Sequence, residues 1–305
     1  MASMKQIKQR KKTVESTGKI TKAMKLVATV KLQKTKQIAT DAVPYFDTMY
    51  ETISDMIRKS ANVNHKYLQG KPGAKKAIIV FSSNKGLAGG YNSNIVKKVL
   101  SADALHKFSK DDTVVYSIGS KARDDLSSKG FKIERDYSDG MEDLDYAKYV
   151  DIADEILTDF VTGKINEIYL VYTFFKNTIV HIPRVLKLLP LTTLDKNEEE
   201  TELIGKNAFV VAKSKYDKSD VMPMNYELEA EEMLNKTIPQ YISTLLYGAL
   251  TAAIASENGA RMTAMDSATK NAKELSEKLG VMYNRARQGA ITQELTEIVA
   301  GANAI

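Results

Sequence analysis

The sequence predicts an α/β protein in two parts: a long coiled pair formed by the two ends of the chain, and a three-layer α/β domain between them. Three observations carry this. From Met262 to about Gly289, small and apolar residues fall at Met265, Ala268, Ala272, Leu275, Leu279, Met282 and Ala286. These steps alternate between three and four, which is a heptad seam. Near the start, Ile7, Val14, Ile20, Met24, Val27 and Val30 give a shorter, rougher stripe at helical spacing, with one glycine and no proline before Pro44. In the middle third the period changes to short apolar runs alternating with helices. A helix from Ile238 to Ile298 would run about 90 Å, against about 50 Å across for a compact chain of this length. The sequence therefore predicts an element that projects.

Taken in order, Ser3 can cap a first helix reaching about Ile38, and Val43-Pro44 predicts a break or kink. Helical spacing resumes through Tyr45, Met49, Ile53, Met56 and Ile57, and Asn62 to Gly73 reads as a linker. Ala77 to Phe81 is a buried strand, Tyr91 to Leu105 a helix, Thr113 to Ile118 a strand and Ser120 to Lys129 a helix. Phe131 to Arg135 is a short strand, Asp143 to Phe160 an amphipathic helix, and Ile165 to Phe174 a further strand. Thr178 to Leu189 is extended but interrupted at Pro183. Strand alternating with helix gives a mainly parallel, Rossmann-like sheet with right-handed crossovers. Thr192 to Gly205 reads as a charged loop, Phe209 to Val211 as an edge strand, and Asn225 to Leu234 as a short acidic helix. Thr237 then caps the terminal helix, with Pro239 in its first turn. Gly248, Gly259, Gly280 and Gly289 lie inside that helical pattern and predict close approach to another backbone. The domain boundaries expected are 1–60, 75–215 and 224–305.

Composition narrows the chemistry. The chain has 305 residues, no cysteine and three scattered histidines, His65, His106 and His181. That excludes disulfides and thiolate chemistry, and it leaves little for a metal cluster. The weakly polar run Tyr241 to Ala255 is too short to cross a bilayer alone. The net charge of +6 conceals an asymmetry: Lys5, Lys8, Arg10, Lys11, Lys12, Lys19, Lys22, Lys25, Lys31, Lys34 and Lys36 stand against Glu15 alone in the first forty residues. Three readings stay open for this block: a solvated helix face, a surface for an acidic protein partner, and a nucleic-acid contact. Aromatics for base stacking are absent before Tyr45.

The segment Ser82-Ser83-Asn84-Lys85-Gly86-Leu87-Ala88-Gly89-Gly90-Tyr91-Asn92 follows a strand and opens a helix, where phosphate-binding loops occur. It matches neither the Gly-x-Gly-x-x-Gly spacing nor a Gly-Lys-Ser/Thr loop, and it reads as a tight turn with Asn92 or Ser93 near the helix start. A nucleotide-binding α/β enzyme is the alternative it motivates. There is no Gly-x-Ser-x-Gly elbow, and Asp124-Asp125 and Glu231-Glu232 read as solvated charge. No catalytic, metal or cofactor site is predicted. Arg285, Arg287 and Gln288 form a polar cluster within one turn near the end of the long helix.

Lys19-Ile20-Thr21-Lys22-Ala23-Met24-Lys25-Leu26-Val27-Ala28 resembles the amino-terminal signature of the gamma subunit family of F-type ATP synthases. Glu257, Ala260 to Met265, Ala268 to Ala272 and Tyr283 to Val299 resemble its carboxy-terminal signature, and Ser82 to Asn92 is similar to its central glycine-rich segment. The resemblance covers both ends and the middle. It implies an antiparallel coiled coil acting as a rotor shaft inside a ring of three alpha and three beta subunits. The α/β domain would lie at the base, near epsilon and the membrane ring of c subunits, in a proton-translocating complex. It implies no catalytic site in this chain, no small-molecule substrate and no nucleic-acid partner. It places Met24, Lys25 and Arg261 opposite an acidic segment of beta, and Arg287, Gln288 and Thr292 nearer the shaft tip. Ala88 stands where many relatives carry cysteine, and Val299-Ala300-Gly301 replaces a paired glycine. The cysteine insertion of chloroplast relatives is missing, and the motif begins close to Met1. The location expected is the cytoplasmic face of a bacterial cell membrane.

Overall fold

A computed structural model describes residues 4–59, 65–70, 73–101, 108–140, 144–191 and 230–302. Two long helices, α1 (Met4–Lys59) and α5 (Ala230–Ala302), contribute to both compact units of the chain. One unit is Val30–Ala260, and the other joins Met1–Thr29 to Arg261–Ile305.

The larger unit is built on β1 (Lys75–Phe81), β2 (Thr113–Ile118), β3 (Lys132–Asp136), β4 (Ile165–Phe175) and β5 (His181–Leu189). Their order is β3-β2-β1-β4-β5, parallel throughout except for β5, which runs antiparallel to β4. This is the order of a doubly wound dinucleotide-binding sheet with a reversed edge strand. The connecting helices are α2 (Tyr91–Leu100), α3 (Ser120–Ser128) and α4 (Tyr146–Val161), the last capped by the Asp145 carboxylate accepting from the Ala147 amide.

Alternate side chains of the central strands enter two cores. Ile78, Val80, Val115 and Val171 pack with Ile95, Val96 and Val99 of α2 and with Ala122 and Leu126 of α3. On the opposite face Ile79, Phe81, Tyr116, Ile168 and Leu170 pack with Tyr149, Ile156 and Phe160 of α4 and with Leu234, Ile238, Ile242, Leu246 and Leu250 of α5. Three layers result. One stretch of α5 is long and apolar enough to cross a membrane, but most of it is buried inside this unit. A helix hydrophobic on nearly all sides is what a core position requires.

Several boundaries differ from the sequence reading. The helix α1 runs unbroken through Pro44. An interior proline removes one hydrogen bond without having to end a helix whose neighbouring turns are intact. The helix α5 begins at Ala230, with Glu231 and Glu232 in its first turn. Those carboxylates complement the helix N-terminus, so Thr237 is an interior residue whose hydroxyl donates to the Met233 carbonyl at 2.8 Å, and Pro239 lies well inside the helix. Pro183 is accommodated within β5, where it pairs with Thr173, because β5 is an edge strand and needs no outward amide there. The charged loop and edge strand expected over 192–211 lie outside the described residues, as does 225–229 of the expected acidic helix, whose remainder to Leu234 is the start of α5.

Candidate functional site

In the smaller unit the two helices meet in a heptad-spaced seam. Along α1 the inward positions are Ile7, Lys11, Val14, Gly18, Thr21, Lys25 and Ala28, and along α5 they are Met265, Thr269, Ala272, Ser276, Leu279, Tyr283 and Ala286. Lys25 Nζ donates to Asp266 Oδ1 at 2.6 Å, the Thr21 and Thr269 hydroxyls lie 2.8 Å apart, and Ser276 Oγ donates to Glu15 Oε1 at 3.1 Å. A methyl group added at Gly18 would meet the Ala272 Cβ at 3.3 Å. Positions falling along α1 thus face positions rising along α5, and the pair is antiparallel.

This seam corrects part of the sequence expectation. Met265, Ala272, Leu279 and Ala286 are inward, but the intervening seam residues are Thr269, Ser276 and Tyr283 rather than Ala268, Leu275 and Met282. On α1 the expected Ile20, Val27 and Val30 are outward, 60%, 58% and 65% exposed, and Thr21 and Ala28 take the inner positions. Small and polar side chains let the backbones approach closely, and the larger apolar groups are left on the outer surface. The close approach to another backbone expected at the helical glycines is not what Gly259 shows, since it meets the His181 and Phe175 rings; the tight helix-to-helix contact is at Gly18 instead. Gly289 faces open space, and Gly280 is in ordinary contact with the Lys11 side chain.

The six residues singled out in the sequence fall into two groups. Lys25 is held by Asp266, with Met24 half-buried beside it, and Arg261 is half-buried little more than one helical turn before Asp266. Arg287, Gln288 and Thr292 are exposed, about 30 Å further along α5. The Thr292 hydroxyl donates to the Gln288 carbonyl at 2.9 Å, an ordinary intrahelical bond. Asp266 is the residue that sequence reasoning missed. Its carboxylate accepts from Lys25 on one side and pairs with Lys270 at 2.9 Å on the other, and these two cations hold its pKa down to about 2. The only sequence signal was the i,i+4 spacing of Asp266 and Lys270.

The glycine-rich loop has a different role. Its residues fill the N-terminus of α3, the helix that follows β2, whose first amides would otherwise be open to an anion. Asn84 Oδ1 accepts from the Ser120 amide at 2.9 Å, the Ser83 carbonyl from Lys121 at 3.1 Å, and Ser82 Oγ from Ala122 at 2.9 Å. Asn92 folds back from α2 to accept from the Ser83 amide at 3.0 Å. At Gly119, with φ of +113°, an added Cβ would lie 2.0 Å from the Ser82 carbonyl oxygen, so only glycine fits. The loop is a self-satisfied strand-to-helix turn.

A family model described as ATP synthase matches residues 3–305, which is nearly the whole chain. The ATP synthase gamma chain of Lachnoclostridium phytofermentans is 52% identical, with each chain covered in full. The chain belongs to the ATP synthase gamma chain family. A gamma chain of Acetobacterium woodii described as sodium ion specific is 38% identical over 98% of this chain and 97% of its own length. Among solved structures, a chain from the central stalk and c-ring of the Tetrahymena thermophila mitochondrial ATP synthase is 25% identical. It has a TM-score of 0.54, over 82% of this chain and 99% of that one. A chain of the Euglena gracilis mitochondrial ATP synthase has a TM-score of 0.62 at 18% identity, over 99% of this chain and 94% of that one, and it shares the fold. This gamma chain is accordingly a subunit of an ATP-synthase complex.

Proposed function

We propose that this chain is the rotating central-stalk subunit of a proton-translocating ATP synthase at the cytoplasmic face of a bacterial cell membrane. Proton flow through a c-subunit ring turns it, and the asymmetric surface of its helix pair drives three beta sites through different affinities in turn. It contributes no catalytic group itself. Alpha and beta subunits, three of each, enclose the helix pair, and epsilon and the c ring bind the α/β unit.

The observation that carries this reading is the outer surface of the helix pair. Ile20, Leu26, Val27, Val281 and Met282 are exposed there, and Ile291, Leu295, Ile298 and Val299 are exposed on the end of α5 that continues past the start of α1. Apolar side chains displayed in that number mark a surface that another protein covers. The basic residues of α1 flank it, which supports an acidic component in the enclosing partner. Met24, Lys25 and Arg261 form the contact region toward the acidic segment of beta, and Arg287, Gln288 and Thr292 the one toward the tip. Contacts of exposed charges, worth about 0.2–1 kcal/mol each, are weak enough to release at every step.

The test is reconstitution with the alpha, beta, epsilon and c subunits in vesicles. ATP addition should acidify the lumen, independently of sodium, and Arg287→Ala with Gln288→Ala should lower pumping relative to ATP hydrolysis while the complex still assembles. Failure of the chain to assemble with alpha and beta overturns the proposal. Sodium-dependent pumping overturns the choice of proton.

A further inference from the structure

The helix pair has few large apolar contacts along its seam, so its register must be set by other means. From Glu15 to Lys25 the cross-helix partners include Ser276 with Glu15, Ala272 with Gly18, Thr269 with Thr21 and Asp266 with Lys25. Of these, Lys25–Asp266 is the one ion pair, at 2.6 Å, and it is buttressed by Lys270 on the second carboxylate oxygen at 2.9 Å. The side chains of Lys25 and Asp266 are 40% and 34% exposed, at the margin of the seam rather than inside it. A salt bridge at such a margin adds little to stability. It does restrict where a long side chain can go. Lys25 has a flexible four-carbon stem, and tethering its end to α5 leaves one orientation of the Met24–Lys25 turn of α1.

We propose that Asp266 is a positioning residue of the shaft: by tethering Lys25 across the pair, it fixes the face that α1 presents at Met24–Lys25 and passes load from α1 to α5. This rests on the coupling role given above to the Met24–Lys25 region. Ridges of apolar residues would resist separation of the helices but would tolerate sliding, because one heptad of greasy surface resembles the next. A charge pair and a threonine pair on neighbouring turns favour one axial alignment, as isolated polar residues do in other coiled coils. The load passed at this point concerns relative motion of the two helices, which is a coupling property rather than a folding one.

The experiment uses the assembled complex in vesicles. Because the chain contains no cysteine, Thr21→Cys with Thr269→Cys introduces a lone thiol pair whose disulfide reports the register. Asp266→Asn should slow that cross-link and lower the ratio of proton pumping to ATP hydrolysis by about threefold, the scale of one margin ion pair, whereas Asp266→Glu, which keeps the carboxylate, should preserve both. The exchanged pair Lys25→Asp with Asp266→Lys is judged by cross-linking alone and should recover the parental rate. An Asp266→Asn complex with unchanged cross-linking and an unchanged pumping ratio overturns the proposal, as does an exchanged pair that cross-links no faster than Asp266→Lys alone. Failure of the unsubstituted chain to pump at all would instead strike the functional reading, and the cross-linking rates still decide the register.

Discussion

The hydroxyls of Thr21 and Thr269 meet 2.8 Å apart across the helix pair, and each also lies near a carbonyl of its own helix: Gly18 at 3.1 Å and Met265 at 2.7 Å. Two hydroxyl protons serve three contacts, since each threonine donates once. The arrangement that uses the shortest distances has Thr269 donating to Met265 and Thr21 donating across to Thr269. In that arrangement the threonine on α1 gives up its local bond to link the helices, and the acceptor's orientation is set by its own turn.

Gly18, one turn away, sets the distance at which that bond forms. Gly18→Leu should push the helices apart at Ala272 and destabilise the pair by about 1–3 kcal/mol, the usual range for overpacking. Gly18→Ala needs a shift of only a few tenths of an ångström and should stay within about 1 kcal/mol, because helix propensity improves. Hydrogen exchange of the amides of residues 11–28 in the full chain measures both, and equal protection in the two variants would contradict the close contact.

Acid should loosen the same region through Asp266. Its folded pKa of about 2 lies below the ordinary aspartate value of 3.8, so the deprotonated, paired form is favoured in the folded state. The stabilisation is complete above the unfolded value and is lost as pH falls from about 4 toward 2. Asp266→Asn should flatten that part of the acid transition of the helix pair, followed by the chemical shifts of residues 21–28. An unaltered profile would show that Lys25 and Lys270 do not hold the carboxylate.

Gly259 on α5 has no room for a side chain, because an added Cβ would lie 2.7 Å from His181 Nε2 and 3.3 Å from the Phe175 ring. Gly259→Ala should destabilise the α/β unit by about 1–3 kcal/mol. Combining it with His181→Ala should recover much of that loss, and a double-mutant cycle in urea reads the coupling directly. Additive losses would rule out the steric account.

Asn84 closes the loop from both ends, accepting from the Ser120 amide at 2.9 Å and donating to the Ser138 carbonyl at 2.7 Å. Asn84→Ala should cost about 1–2 kcal/mol through the lost cap of α3. Thermal unfolding of the full chain checks this, and a melting temperature that does not move would argue against it.

The sheet was legible because buried parallel strands must be apolar on both faces. Ala77 to Phe81 and Thr113 to Ile118 are short, β-branched-rich runs of strand length, and both match the observed strands closely. The seam was half legible. Residues seven apart, Met265, Ala272 and Leu279, are buried and apolar, so periodicity found them. Their neighbours Thr269 and Ser276 are polar in type but inward in position, and no hydropathy pattern selects them. On α1 the rule inverts, because Thr21 and Ala28 are buried whereas Ile20 and Val27 face outward. An apolar stripe on an outer surface looks like a core in the sequence, and it drew the reading away from the true seam. Asp266 was invisible for a related reason: its partner Lys25 lies on the other helix, and its only sequence neighbour in the pair is Lys270.

The loop after β1 also decides what holds the start of α3. Where a sheet of this class leaves helix amides open, a bound phosphate raises stability in proportion to the logarithm of its concentration. Here Ser82, Ser83 and Asn84 occupy the amides of Ser120, Lys121 and Ala122 permanently. The N-terminus of α3 is thus closed by the chain's own groups, and the way it is held does not depend on an anion supplied from solution.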